Sequence, residues 1–139
     1  MMLVDSSGLL AAMFPDQRNH HECGQVLTMT RGLRLLSPFV LAELDYLIIK
    51  LAGVPEELEF LGEVERGAYA LASFGGEDIG RARMIIEQYS DLGIGLADSS
   101  IVVLSEKHNV LDLLTLDERH FRALRGAGGK PFRILPADT

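Results

Sequence analysis

A single cysteine, Cys23, leaves the 139-residue chain without an internal disulfide and without the thiol cluster of a structural zinc site. A reducing, cytoplasmic setting is therefore expected. No apolar run is long enough to span a bilayer, so no membrane association is expected. The first fourteen residues carry Asp5 and no basic leader, which argues against a signal peptide. There is no P-loop lysine motif, and no serine sits in a nucleophile elbow. Tyr46, Tyr69 and Tyr89 are scattered, so no aromatic platform for stacking bases is evident. Basic residues are also few, with 13 Lys and Arg against 20 Asp and Glu and a net charge of −7. That balance disfavours a passive nucleic-acid binder, which would be held mainly by cations at phosphates.

What is present fits one globular domain over residues 1–139, since 47 % of the residues are apolar. The scarce cations gather at one end: Arg119, His120, Arg122, Arg125, Lys130 and Arg133 follow one another with no acid between Glu118 and Asp138. A solvated basic face is the simple reading of that stretch.

The pattern along the chain alternates strand and helix. Leu3-Val4 is expected to be a buried strand, followed by a helix from Ser6 or Ser7 to Phe14. Further helices are expected over residues 19–31, 38–51, 55–66, 77–89, 96–108 and 117–124, with strands over 33–36, 68–74, 110–116 and 132–135. Ser37-Pro38 is a strong helix start, with serine as N-cap and proline in the first turn. Such alternation predicts an α/β fold, a parallel central sheet covered by helices on both faces.

In a sheet of this kind ligands sit beyond the carboxyl ends of the strands. Asp5 and Asp117 each follow a predicted strand and should meet at that edge if the strands are parallel. Glu43 has Phe39, Val40, Tyr46 and Leu47 at helical spacing, and Asp45 has Leu41, Ala42, Ile48 and Ile49. This helix is apolar nearly all round and is expected to be buried, so an ionised acid on it needs compensation. Spacing alone does not choose between Glu43 and Asp45. Asp98 stands in the first turn of its helix among Ile94, Gly95, Ile101 and Val102. Each acid taken singly also suits a helix cap or a core ion pair. Together they suit Mg²⁺ or Mn²⁺, hard cations that polarise water and offset charge on a phosphodiester.

Four segments then resemble, in order, the motifs of PIN domains. They are Leu3-Val4-Asp5-Ser6-Ser7, Ser37-Pro38-Phe39-Val40-Leu41-Ala42-Glu43-Leu44, Leu96-Ala97-Asp98-Ser99-Ser100-Ile101 and Leu114-Thr115-Leu116-Asp117-Glu118-Arg119-His120-Phe121. By length and style the chain is most similar to the toxin half of VapBC-type toxin–antitoxin pairs. The resemblance implies a metal-dependent endoribonuclease with Mg²⁺ or Mn²⁺ held by Asp5, Glu43, Asp98 and Asp117. It also implies an RNA substrate, a cognate VapB-type antitoxin and a homodimer. It favours Glu43 over Asp45, and gives Ser6 and Thr115 supporting roles beside the carboxylates. Arg119 or Arg122 is expected to touch a flanking phosphate. Asp112 departs from the pattern, standing where an apolar or basic residue would be less surprising.

Two rival readings remain at this level. One is a non-catalytic PIN-like module that binds RNA or protein without turnover. The other is a phosphotransfer domain with Asp5 as nucleophile, for which Lys107 and Lys130 are both poorly placed. Gly93-Ile94-Gly95 lacks the third glycine of a dinucleotide loop. His20-His21-Glu22-Cys23 reads as a solvated helix start, because adjacent histidines on a helix point to different sides.

Overall fold

The computed structural model describes residues 1–139. Five short strands, β1 (Met2–Val4), β2 (Arg34–Leu36), β3 (Ala70–Leu71), β4 (Asp112–Leu114) and β5 (Arg133–Leu135), form one sheet in the order β3-β2-β1-β4-β5. Every neighbouring pair is parallel, with Val4 opposite Leu114 and Leu3 opposite Leu35. Helices α1 (Ser6–Met13) and α2 (His20–Met29) connect β1 to β2, and α3 (Pro38–Ala52) with α4 (Val54–Glu65) connect β2 to β3. The return from β3 runs through α5 (Gly76–Gln88) and α6 (Leu96–His108) to β4, and α7 (Glu118–Ala123) leads to β5. Right-handed crossovers send the helices of the two directions of travel to opposite faces. Strand order reverses between β1 and β4, so the switch point of the sheet lies between the ends of those two strands.

The strands read as unbroken apolar runs because both faces are covered. Met2, Leu3, Val4, Leu36, Leu113, Leu114 and Ile134 are all essentially inaccessible to solvent. They are shorter than the apolar runs that announce them: β3 pairs over only two residues, and β4 stops before Thr115. The chain leaves the ladder where side chains begin to serve the helix that follows.

The burial expected of α3 falls instead to α6. On α6 every residue from Ser99 to Ser105 is buried, so this helix is the one sunk in the molecule. On α3 only Val40, Leu44 and Ile48 are buried, while Tyr46, Ile49 and Leu51 are exposed. Neighbouring α4 likewise shows Val54, Leu58 and Leu61 to solvent. The sequence pattern of α3 is apolar all round, but the sheet covers just one stripe of it.

One close approach sets the position of α1. A Cβ on Gly8 would lie 2.7 Å from Leu114 Cγ and 2.8 Å from the Leu114 carbonyl oxygen. Only glycine lets α1 rest directly on the end of β4. That contact brings the first turn of α1 against the residues just beyond β4.

Candidate active site

Asp5 begins where β1 ends, and its backbone N–H donates to the Leu114 carbonyl at 3.0 Å. Its side chain makes no cap hydrogen bond to α1, so the helix-cap explanation does not account for it. Instead it accepts from Thr115 Oγ1 at 2.7 Å and from Ser7 Oγ at 3.1 Å, both onto Oδ2. The two hydroxyls are themselves fed by backbone amides. Asp117 N–H donates to Thr115 Oγ1, and Leu116 N–H donates to Ser7 Oγ, each at 3.0 Å. Asp5 is only 4 % exposed, and burial pushes its carboxyl up to about 6. The Thr115 hydrogen bond opposes that rise, and the charge of Asp98 adds to it.

Asp117 does act as a cap. Its Oδ1 accepts from the His120 backbone N–H at 3.1 Å and starts α7. The other oxygen, Oδ2, lies 2.9 Å from His120 Nδ1. The same ring nitrogen is 2.9 Å from Asp98 Oδ2, so one imidazole edge spans two carboxylates. Burial raises the Asp98 carboxyl above the ordinary range; His120 opposes that rise, and the charges of Asp117 and Glu43 add to it.

Glu43 lies on the exposed side of α3, where Ser6 Oγ donates to its Oε1. The burial expected of this acid is not found: Glu43 itself is exposed beside the exposed Tyr46, although Val40 on the same helix is fully buried. Asp45, two residues on, faces Glu57 of α4 instead. Two serines tie α3 to α6: Ser37 caps α3 through the Phe39 N–H, and its Oγ is 2.6 Å from Ser100 Oγ. The helices that carry Glu43 and Asp98 are thereby joined at their first turns.

No arginine or lysine pairs with Asp5, Glu43, Asp98 or Asp117; the basic group set against them is the His120 imidazole, beside Asp98 and Asp117. Ligand atoms of Asp98, Asp117 and His120 lie within 4.8 Å of one another. Oxygen donors with one imidazole nitrogen, partly open to solvent and without an arginine or lysine among them, fit a divalent cation. The charge of Glu43 acts on Asp98 and that of Asp98 acts on Asp5, but Asp5 and Glu43 fall outside that tightest trio. His120 was not singled out as a site residue in the sequence. Its place three residues after Asp117 on a short helix was the available signal.

Two arginines of the basic end are neutralised. Arg122 is shared by Glu118 and Asp138, at 2.9 and 2.7 Å, and Arg133 reaches Asp112 at 3.2 Å. The last pair explains Asp112, which lies opposite Arg133 in the parallel register of β4 and β5. Arg119 is exposed and takes part in none of the ion pairs.

The PIN-domain family matches residues 2–127. The chain belongs to the PIN-domain family. This PIN domain is 39 % identical over 135 residues to Ribonuclease VapC26 of Mycobacterium tuberculosis, covering 97 % of this chain and all of that protein. Its fold is shared with Mycobacterium tuberculosis VapC20, described as a Sarcin-Ricin loop cleaving toxin. The TM-score is 0.78 at 13 % identity, covering 84 % of this chain and 90 % of that one. A toxin–antitoxin complex from Klebsiella pneumoniae matches with a TM-score of 0.70 and 17 % identity, over 91 % of this chain and 95 % of that one. The central parallel sheet is common to this PIN domain and those folds, and no helix in it is long and apolar enough to cross a membrane.

Proposed function

We propose that this PIN domain is a metal-dependent endoribonuclease and the toxin of a type II toxin–antitoxin pair. The 39 % identity to a ribonuclease over essentially the whole chain supports the activity. The observation that carries the chemistry is the acid cluster at the switch point, which holds no arginine or lysine and in which Asp98, Asp117 and His120 offer ligand atoms within 4.8 Å. Asp5, Glu43, Asp98 and Asp117 would hold Mg²⁺ or Mn²⁺. Such an ion supplies a more acidic water and offsets charge at the phosphodiester.

The chain's own groups prepare that site. Thr115 and Ser7 hold Asp5 in one orientation, and Ser6 holds Glu43. His120 keeps the Asp98 and Asp117 carboxylates at a fixed separation and leaves its other ring nitrogen free. Fixed donors of this kind cost little reorganisation when charge develops at the phosphate. Arg119 is the free cation of α7 and is assigned to a flanking RNA phosphate. Arg122, held by Glu118 and Asp138, would have to exchange partners to do the same.

Two partners complete the reading. The exposed apolar side of α3 and α4, with Tyr46, Ile49, Leu51, Val54 and Leu58, suits a homodimer interface. A VapB-type antitoxin bearing arginine or lysine would be drawn to the acid cluster by charge complementarity.

The test is cleavage of a mixed RNA population by the purified protein, with and without a chelator and with Mg²⁺ or Mn²⁺ restored. Chelator-sensitive cleavage rescued by either ion is expected. Cleavage insensitive to the chelator would remove the metal, and RNA binding without any turnover would favour the non-catalytic alternative.

A further inference from the structure

Between α1 and α2 the chain turns through residues 14–19, and that turn is pinned. The Gln17 N–H donates to the Phe14 carbonyl at 3.0 Å, Asn19 takes a left-handed conformation at φ 62°, and His20 Nδ1 lies 2.7 Å from the Ala11 carbonyl oxygen. His20, the first residue of α2, thus clamps that helix to α1. The clamp fixes the backbone on either side of Arg18.

Arg18 borders a cavity of about 370 Å³ that opens beside the acid cluster. Asp117, Ser6 and Ser7 line the side toward the carboxylates, and Gln17 and Arg18 line the side toward α2. Leu10 and Leu47 supply apolar wall between them. Arg18 is the cation of this cavity and takes part in none of the protein's ion pairs, unlike Arg122 and Arg133. A second and larger cavity, about 800 Å³, shares Arg18 and Leu116 with the first and continues along α2 toward the end of β5. Arg18 therefore stands where the two cavities join.

We propose that Arg18 binds the backbone phosphate next to the scissile one in single-stranded RNA, with the adjoining base seated against Leu10 and Leu47. The proposal rests on the ribonuclease reading above and adds a substrate-positioning residue to it. A cavity of this size holds one nucleotide. Its polar edge carries an unneutralised guanidinium and an amide, the donors that phosphate oxygens accept from, and its wall is apolar. In a chain of net charge −7, a strand approaching the acid cluster needs such a cation to stay in register beside it. The larger cavity gives the strand a path away from the cleavage point.

Two measurements on the full chain separate this from the ribonuclease reading. Steady-state cleavage of a single-stranded RNA oligonucleotide should show KM raised about tenfold in Arg18→Gln, with kcat within about twofold. The slope of log kcat/KM against log salt should become shallower by about 0.7, the loss of one single-strand phosphate contact. Arg18→Lys should recover part of KM, because a point charge replaces the fork. Arg83→Gln, on the far helix α5, should match the parent. Equilibrium binding of the same oligonucleotide, followed by fluorescence anisotropy with a chelator present, reads the contact without turnover. Unchanged KM, affinity and salt slope in Arg18→Gln would overturn the proposal even if the parent cleaves RNA. A parent that binds RNA through Arg18 yet never cleaves it would leave this contact standing and overturn the ribonuclease reading. Should Arg18→Gln melt several degrees lower, Arg18→Lys decides: affinity as poor as the glutamine variant in a stably folded protein counts against a phosphate contact.

Discussion

Asp5 and Glu57 are both almost fully shielded from solvent, yet their surroundings are opposite. Asp5 is 4 % exposed and receives two hydroxyl donors; Glu57 is 3 % exposed, and neither of its oxygens has a hydrogen-bond partner. Burial raises both carboxyls, to about 6 for Asp5 and about 7 for Glu57. Their neighbours differ in kind. Around Asp5, hydroxyls, backbone amides and His120 gather at the open end of the sheet. Around Glu57, between α3 and α4, stands another acid, Asp45, which pushes the carboxyl further up by favouring its protonated, hydrogen-bonding form and by its charge. An acid kept by donors is ready to meet a cation. One without donors is most economically kept by a proton. Burial alone therefore does not distinguish the two acids; the donor set does.

The contrast breaks most sharply under amide substitution. Asp5→Asn, Asp98→Asn, Asp117→Asn and Glu43→Gln should each lower RNA cleavage by on the order of 100-fold or more, since a hard cation loses a charged ligand. Glu57→Gln and Asp45→Asn should leave cleavage within about twofold, beyond the reach of the metal chemistry. Rates for all six variants check this, and full activity in the Asp5 and Asp117 variants would end the assignment.

Stability gives the next largest effect, and its sign is set by the raised carboxyls. A carboxyl raised on folding favours the native state at low pH and loses that contribution as pH rises through its native value. In metal-free protein, Asp5→Asn should gain about 2–3 kcal/mol at pH 7 and nothing below about pH 4. Glu57→Gln should gain about 1–3 kcal/mol at pH 8, with the gain fading toward pH 4.5. Denaturant melts at both pH values test the pair. A loss of stability in Glu57→Gln at pH 8 would mean that its carboxylate has a partner after all.

Metal should then separate the two acids. Saturating Mg²⁺ or Mn²⁺ is expected to raise the parent's melting temperature by several degrees, following mass action on the native state. Asp5→Asn should lose most of that shift, and Glu57→Gln should keep it. An unchanged melting temperature in the parent would argue against a metal at the cluster.

The smallest effect belongs to an acid that is neither buried nor donor-rich. Asp112→Asn removes an exposed pair with Arg133 and should alter stability by less than about 1 kcal/mol, less still at high salt. Thermal melts in low and high salt suffice.

The sequence made Asp5 and Asp117 legible because each ends an apolar run, and strand ends are where a parallel sheet gathers its chemistry. Both lie at that edge, beside the switch point. It could not choose between Glu43 and Asp45 by spacing, since both stand among apolar residues on a helix. The choice depends on which side of α3 the sheet covers, and that is tertiary. Glu57 escaped notice because a glutamate on an amphipathic helix reads as solvated; its burial comes from α3 lying across it. The acid-bridging role of His120 escaped for a related reason, as Asp98 reaches it from 22 residues away. Helix starts such as Ser37-Pro38 were readable because capping is local.

The two parallel routes from amide to hydroxyl to Asp5 have a chemical consequence. Because Asp117 N–H and Leu116 N–H fill the acceptor sides of Thr115 and Ser7, both hydroxyl protons turn the same way, onto Oδ2. The symmetry of the carboxylate is thereby lost. One oxygen is bound inward to the scaffold by both hydroxyls, and its twin receives neither, so the two ends of the Asp5 carboxylate are chemically unlike.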